Sequence, residues 1–235
     1  MSNRKTSSVG RAFWFQWVLA NTVGLVVGLM VGFIGLLVHG ALFGAVVGTA
    51  AGIMQWLVLR EHISRAGSWA AACTVGGAVG GLVFEAFAKA DLAEVTIARA
   101  FGGVVFGALV GGFVAGAMQW LVLRQQVYRA GWWVLASTVG GAVAFAVGGA
   151  VGGAVAWFVG WIGVEFLNQS IPGGMSAAED GIRHLGKIVG VPVVLAVGGT
   201  VAGAITGPVL IWLLRHFRSE AQFVAADAHR SPDRD

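Results

Sequence analysis

The chain has 235 residues, 57% of them apolar and only 11% charged, whereas a water-soluble domain carries charge on about a quarter of its residues. That composition excludes a fold solvated by water alone and makes lipid the principal solvent. The net charge of +4 comes from basic residues scattered through short polar stretches, a pattern that marks membrane orientation and argues against a nucleic-acid partner.

In chain order, Arg4, Lys5 and Arg11 precede an apolar run to about Val38. That run outlasts the roughly 7–15 apolar residues of a cleavable signal, so it reads as a retained first helix. A span needs about 20 apolar residues, and six segments supply them: 12–37, 39–60, 68–89, 100–124, 132–158 and 188–216. The expected fold class is therefore all-α integral membrane, a glycine-packed bundle of six transmembrane helices in one domain, 1–216. The fifth segment is the awkward one. Trp132 to Leu167 is 36 residues with almost no polar side chain, a helix of about 54 Å against a hydrocarbon core of about 30 Å. The expectation is one span followed by an interfacial stretch holding Trp157, Trp161 and Phe166, then a long loop, 168–187, containing Pro172-Gly173-Gly174. Pro192 and Pro208 could break the sixth helix. Residues 217–235 are polar and charged, and are expected to form a disordered tail.

The chain repeats itself at an offset of 64 residues. Gly52-Ile-Met-Gln55-Trp56-Leu-Val-Leu-Arg60 recurs as Gly116-Ala-Met-Gln119-Trp120-Leu-Val-Leu-Arg124, and Thr74-Val-Gly76-Gly77 as Thr138-Val-Gly140-Gly141. Weaker copies flank these: Trp17 to Gly24 matches Trp133 to Gly140, while Gly207 to Arg215 keeps the Gly52-to-Arg60 spacing without the glutamine. Such self-similarity means a duplicated unit, here a two-helix unit present three times, 12–60, 68–124 and 132–216. The pattern resembles a group of uncharacterised bacterial multi-pass membrane proteins that carry repeated Gln-Trp-Leu-Val-Leu-Arg segments. The resemblance covers the two central units well and the outer ones loosely. It implies a bacterial cytoplasmic (inner) membrane location and no particular activity.

Eleven of the fifteen Lys and Arg residues (Arg4, Lys5, Arg11, Arg60, Arg65, Arg124, Arg129, Arg215, Arg218, Arg230 and Arg234) fall on one side of the proposed spans. By the positive-inside rule both termini are then cytoplasmic. Eight of the ten tryptophans sit near that same face, as an interfacial belt would. Glycines recur every fourth residue, notably Gly40, Gly44, Gly48 and Gly52 in the second segment and Gly148 and Gly152 in the fifth, which aligns them on one helix stripe for close packing. The glycine pairs of the fifth segment widen its small face and suggest a helix buried among the others, or a contact with a second copy.

Polar groups inside a membrane are costly and so informative. Gln55 and Gln119 lie five residues before Arg60 and Arg124, and Thr22, Thr74 and Thr138 lie five residues after Trp17, Trp69 and Trp133. With Asn21 they form an expected polar layer at one depth: Asn21, Thr22, Gln55, Thr74, Gln119 and Thr138. It serves either as hydrogen-bonding glue between helices, glutamine to threonine or asparagine, or as the narrow point of a solute path. Cys73, the single cysteine, reads as a small packing residue. Glu85 and Lys89 share a helix face near the opposite boundary and read as a snorkelling pair, with His39 interfacial. Gly181 to Lys187 has phosphate-loop spacing but lacks the following Ser or Thr. The histidines show no metal-ligand spacing. No catalytic residues, metal or cofactor are expected. The functional expectation is a non-enzymatic structural or accessory membrane component, partnered by the lipid bilayer and by a second copy or another membrane protein. The alternative is a small-solute or ion transporter or channel.

Overall fold

Apolar helices in lipid must satisfy their own backbone groups, and this chain does so in six successive α-helices. The computed structural model describes residues 10–63, 66–89, 97–125, 130–170 and 176–230. They form α1 (Arg11–Val38), α2 (Gly40–Leu59), α3 (Gly67–Lys89), α4 (Ile97–Leu123), α5 (Gly131–Ser170) and α6 (Ser176–Arg230), with no strand among the described residues. Each of the six contains a stretch long and apolar enough to cross a membrane. The chain is a multi-pass membrane protein.

The helices form a closed ring. Each packs on the next in the chain, α6 packs back on α1, and among the described residues no two helix backbones come close across the ring. No helix is therefore central. The fifth helix was expected to be buried among the rest, but its backbone packs only on α4 and α6, and few residues of its apolar stretch are buried. Its small residues serve two seams: Gly148 approaches Gly198 and Gly152 approaches Gly190 and Val194 of α6, while Ser137 and Gly141 face Gly112 and Ala108 of α4.

Backbones meet closely along the other seams as well. A Cβ built on Gly24 would stand 2.6 Å from Ala51 Cα, one on Gly52 2.7 Å from Ala70 Cα, and one on Gly76 2.7 Å from the carbonyl oxygen of Gly111. The α2–α3 seam is the tightest. Gly44 faces the carbonyl oxygen of Gly77, Gly77 faces that of Gly44, Gly48 faces that of Cys73, and Gly40 faces that of Gly81. No side chain fits at these crossings.

Two turns repeat 64 residues apart at one end of the ring, here the arginine end. Arg60 N–H donates to Trp56 O at 2.8 Å and Arg124 N–H to Trp120 O at 2.7 Å. Trp69 N–H then donates to Ala66 O and Trp133 N–H to Ala130 O as the next helix begins. At the opposite end α2 starts on His39, whose extended backbone and Nδ1 acceptor for Ala41 N–H (3.3 Å) make an N-cap.

Four expectations are corrected by helix length and continuity. α5 does not end near 158; it runs unbroken to Ser170, because nothing before Glu165 interrupts an apolar, Ala- and Gly-rich run. α6 begins at Ser176 rather than 188, so all of the expected 168–187 loop that lies within the described residues is helical; residues 171–175, with Pro172-Gly173-Gly174, lie outside them. α6 passes through Pro192 and Pro208 without a break, which neighbouring helices permit in lipid. It also continues past 216 to Arg230. That segment is therefore helical where a disordered tail was expected; Glu220, Ala221, Gln222, Ala225 and Ala226 are good helix formers.

Measured from equivalent tryptophans, the third hairpin is far longer than the other two. From Trp17 to Val38 is 21 residues, from Trp69 to Lys89 is 20, and from Trp133 to Ser170 is 37, or about 32, 30 and 56 Å at roughly 1.5 Å per residue.

Candidate functional site

The large buried side chains gather at the arginine end of the ring. Trp17, Trp69 and Trp133 project from α1, α3 and α5 and are 1%, 0% and 2% exposed. Their rings meet: centroids lie 6.2 Å apart for Trp17–Trp69, 6.1 Å for Trp17–Trp133 and 5.2 Å for Trp69–Trp133, in edge-on or tilted geometry. Phe13, Leu59, Ile63, Ala66, Leu123, Ala130, Leu210, Leu213 and Leu214 pack around them. This corrects the interfacial-belt reading for these three tryptophans. They close the axis of the ring from inside, while Trp132 is 58% exposed and faces out.

Each indole needs an acceptor in this apolar setting. Trp69 Nε1 donates to Gln55 Oε1 and Trp133 Nε1 to Gln119 Oε1, both at 2.7 Å and both across 14 residues of sequence. In α6 Leu210 stands where Gln55 and Gln119 stand in α2 and α4, and Trp17 Nε1 instead donates to Thr206 Oγ1 at 2.9 Å. Thr206 Oγ1 in turn donates to Ala202 O, one turn back in its own helix.

The glutamine amides complete a belt around the ring. Gln55 Nε2 donates to Asn21 Oδ1 at 2.8 Å, and Asn21 Nδ2 to Trp17 O at 2.8 Å. Gln119 Nε2 reaches Cys73 Sγ at 3.1 Å, and Cys73 Sγ–H points to Gln55 Oε1 at 3.4 Å. Cys73 and Asn21 hold equivalent positions, so each glutamine joins the helix before it to the tryptophan of the helix after it.

The six residues of the expected polar layer thus divide. Asn21, Gln55 and Gln119 come together in the belt, with glutamine bonded to tryptophan, asparagine and cysteine rather than to threonine. The threonines stand apart from it. Thr22 pairs with Thr200 at 3.0 Å on the outside of the α1–α6 seam, and Thr74 with Thr49 at 2.8 Å across the α2–α3 seam. Thr138 bonds Val134 O in its own helix. Thr49, Thr200 and Thr206 were not singled out from the sequence, and Trp17, Trp69, Trp133 and Cys73 were read there as interfacial or packing residues rather than as hydrogen-bonding partners. The constant Gln-to-Trp spacing across each turn of the arginine end was the available signal.

Near the other end, Glu85 of α3 accepts from Gly40 N–H at 2.8 Å and lies 2.9 Å from His39 Nδ1, while Lys89 meets its other oxygen. The expected Glu85–Lys89 pair is present, and Glu85 also holds the start of the neighbouring helix. It ties the start of α2 to α3, where the helix dipole favours a carboxylate. The Gly181-to-Lys187 segment lies within α6, so its backbone cannot form a phosphate-cradling loop. Among the described residues no group of three or more His, Cys, Asp or Glu side chains could hold a metal ion.

The Trp17–Thr206 bond gives a local test. Thr206→Val keeps the shape but removes the acceptor, and is expected to lower stability by about 1–2 kcal/mol, with Thr206→Ser close to wild type. Thermal unfolding in mild detergent reads both; equal midpoints for Val and wild type would refute the bond's role.

No family model, curated protein or solved structure matches this chain.

Proposed function

We propose that this chain is a non-enzymatic structural or accessory component of a membrane, built as three two-helix repeats packed through glycine. In this reading it lies in a bacterial cytoplasmic membrane with both termini inside, as the distribution of Arg and Lys supports. The observation that carries the proposal is the direction of the belt's hydrogen bonds. Asn21, Gln55, Cys73, Gln119 and Thr206 spend their polar atoms on one another, on the three indoles and on backbone carbonyls. Groups that handle a solute keep a donor or acceptor aimed at it; these are aimed at neighbouring helices, which is how intramembrane glutamines act as glue.

Gln55→Leu combined with Gln119→Leu discriminates. A structural belt predicts a loss of about 1–2 kcal/mol for each glutamine, read as a lower unfolding midpoint, with no change in solute or ion leakage from liposomes. A second reading, a transporter or channel, has one observation in its favour: a closed ring around an axis that three indoles block. It predicts altered flux in the double variant at unchanged unfolding midpoint.

A further inference from the structure

The third hairpin outruns the other two by about 16 residues, roughly 25 Å of helix, measured from equivalent tryptophans to the ends of α1, α3 and α5. What overhangs is apolar and uncovered. Trp157, Phe158, Trp161 and Ile162 are 69%, 52%, 53% and 46% exposed, and the rings of Trp157 and Trp161 stack at 6.2 Å. We infer that this face of α5 is the interface of a homodimer, covered by the same face of a second copy. The inference goes beyond the structural reading and holds equally for a transporter.

Lipid alone does not account for the face. The first two hairpins turn after about 30 Å, the thickness of one hydrocarbon core. To bring the 37-residue apolar stretch Gly131–Leu167, about 55 Å of helix, within the same core would need a tilt near 57°, beyond the roughly 0–40° seen for spanning helices. α5 is held in a ring with helices that fit upright, so its far half stands clear of the core that they define. Left in water, it would be an apolar patch at the upper limit for a monomer, about 300–600 Å².

The area suits a second copy. Aromatic side chains carry about 150–250 Å² each, so at these exposures the patch, with Val147 and Val151 below it at 40%, offers roughly 600 Å². Two copies would bury roughly 1,200 Å², where stable interfaces begin. Copies in one bilayer share an orientation, so a two-fold axis along the membrane normal sets equal levels opposite one another. Ala150 and Ala154, both exposed, fall at helical spacing with Val147, Phe158 and Trp161 on one face. Two such helices can approach closely at the alanines and interlock aromatic rings above them.

The test uses the full chain in lipid nanodiscs and mild detergent, weighed by native mass spectrometry. The expected result is a species of twice 24.2 kDa, and at least a 30-fold weaker self-association for Trp157→Ser with Trp161→Ser, at an unchanged unfolding midpoint. A wild-type monomer overturns the inference, as does a dimer indifferent to the double variant. If the double variant fails to fold, single cysteines placed at 157, 158, 161 and 162 in turn replace it. A covalent dimer from any of them supports the interface, and none from all four refutes it.

Discussion

Gly77→Val is expected to be among the most costly single changes in the bundle. The Cβ it adds would run into the carbonyl oxygen of Gly44, with Gly44 C at 3.0 Å and Gly48 Cα at 3.1 Å. All three obstacles are backbone, and α2 presents them along a helix that also crosses α3 at Gly40, Gly44, Gly48 and Gly52. A rotamer change cannot relieve the clash; one helix must move. Overpacking in a core that can adjust costs about 1–3 kcal/mol, and a rigid backbone on the facing side puts this substitution above about 3 kcal/mol. The expected result is loss of folded protein in mild detergent, or a collapse of its unfolding midpoint. Gly153→Val is the matched control, because a Cβ there meets nothing within 4 Å. A surface change of this kind is worth no more than about 0.5 kcal/mol, and valine removes glycine's penalty in a helix. Equal midpoints for the two variants would sink the argument that contact between α2 and α3 backbones holds this seam.

The contrast between these two glycines shows where sequence reasoning stops. Hydropathy marked six spans because in lipid the only solution for an apolar stretch of that length is a helix. The self-match at 64 residues was visible because Gln55 and Gln119, Trp69 and Trp133 recur with their neighbours. Neither signal tells which glycine has a partner. Gly77 and Gly153 each sit next to another glycine in an apolar run, and only the ring's geometry separates a crossing point from an open face.

The site was half legible for a similar reason. Intramembrane Asn21, Gln55 and Gln119 announce themselves by polarity, but a tryptophan at a helix start is as apt for the lipid interface as for a core. Trp17, Trp69 and Trp133 turn inward because ring closure brings α1, α3 and α5 to face one axis, a tertiary fact with no local signature. The threonines were misplaced by the opposite error. Equal depth put Thr22, Thr74 and Thr138 beside the glutamines, whereas one residue of helix, about 100° of rotation, turns them away from the belt.

Trp69→Ala is the second change with a large expected effect, and it tests the closed axis directly. Trp69 is fully buried, touches both other indoles and donates to Gln55. Removing it opens a cavity of ring size, for which losses of about 3–5 kcal/mol are usual, and leaves the Gln55 carbonyl oxygen with only the weak Cys73 thiol donor. Trp69→Phe keeps much of the volume and loses only the N–H, so about 1–2 kcal/mol is expected; Trp132→Ala, outside the bundle, should change little. The unfolding midpoints should therefore fall in the order Trp132→Ala, Trp69→Phe, Trp69→Ala. The cavity and the bond separate further in a cycle with Gln55→Leu. Because the two residues share one hydrogen bond, their losses should be less than additive, while Trp69→Ala with Thr206→Val, which removes the acceptor of a different indole, should come closer to additive. Full additivity with Gln55→Leu would mean that the indole acts only as filling. The same Trp69→Ala protein, reconstituted in liposomes, separates the two functional readings. A bundle whose tryptophans are only core becomes less stable and stays sealed, because the helices settle inward around the cavity. A conduit blocked by its indoles would begin to leak.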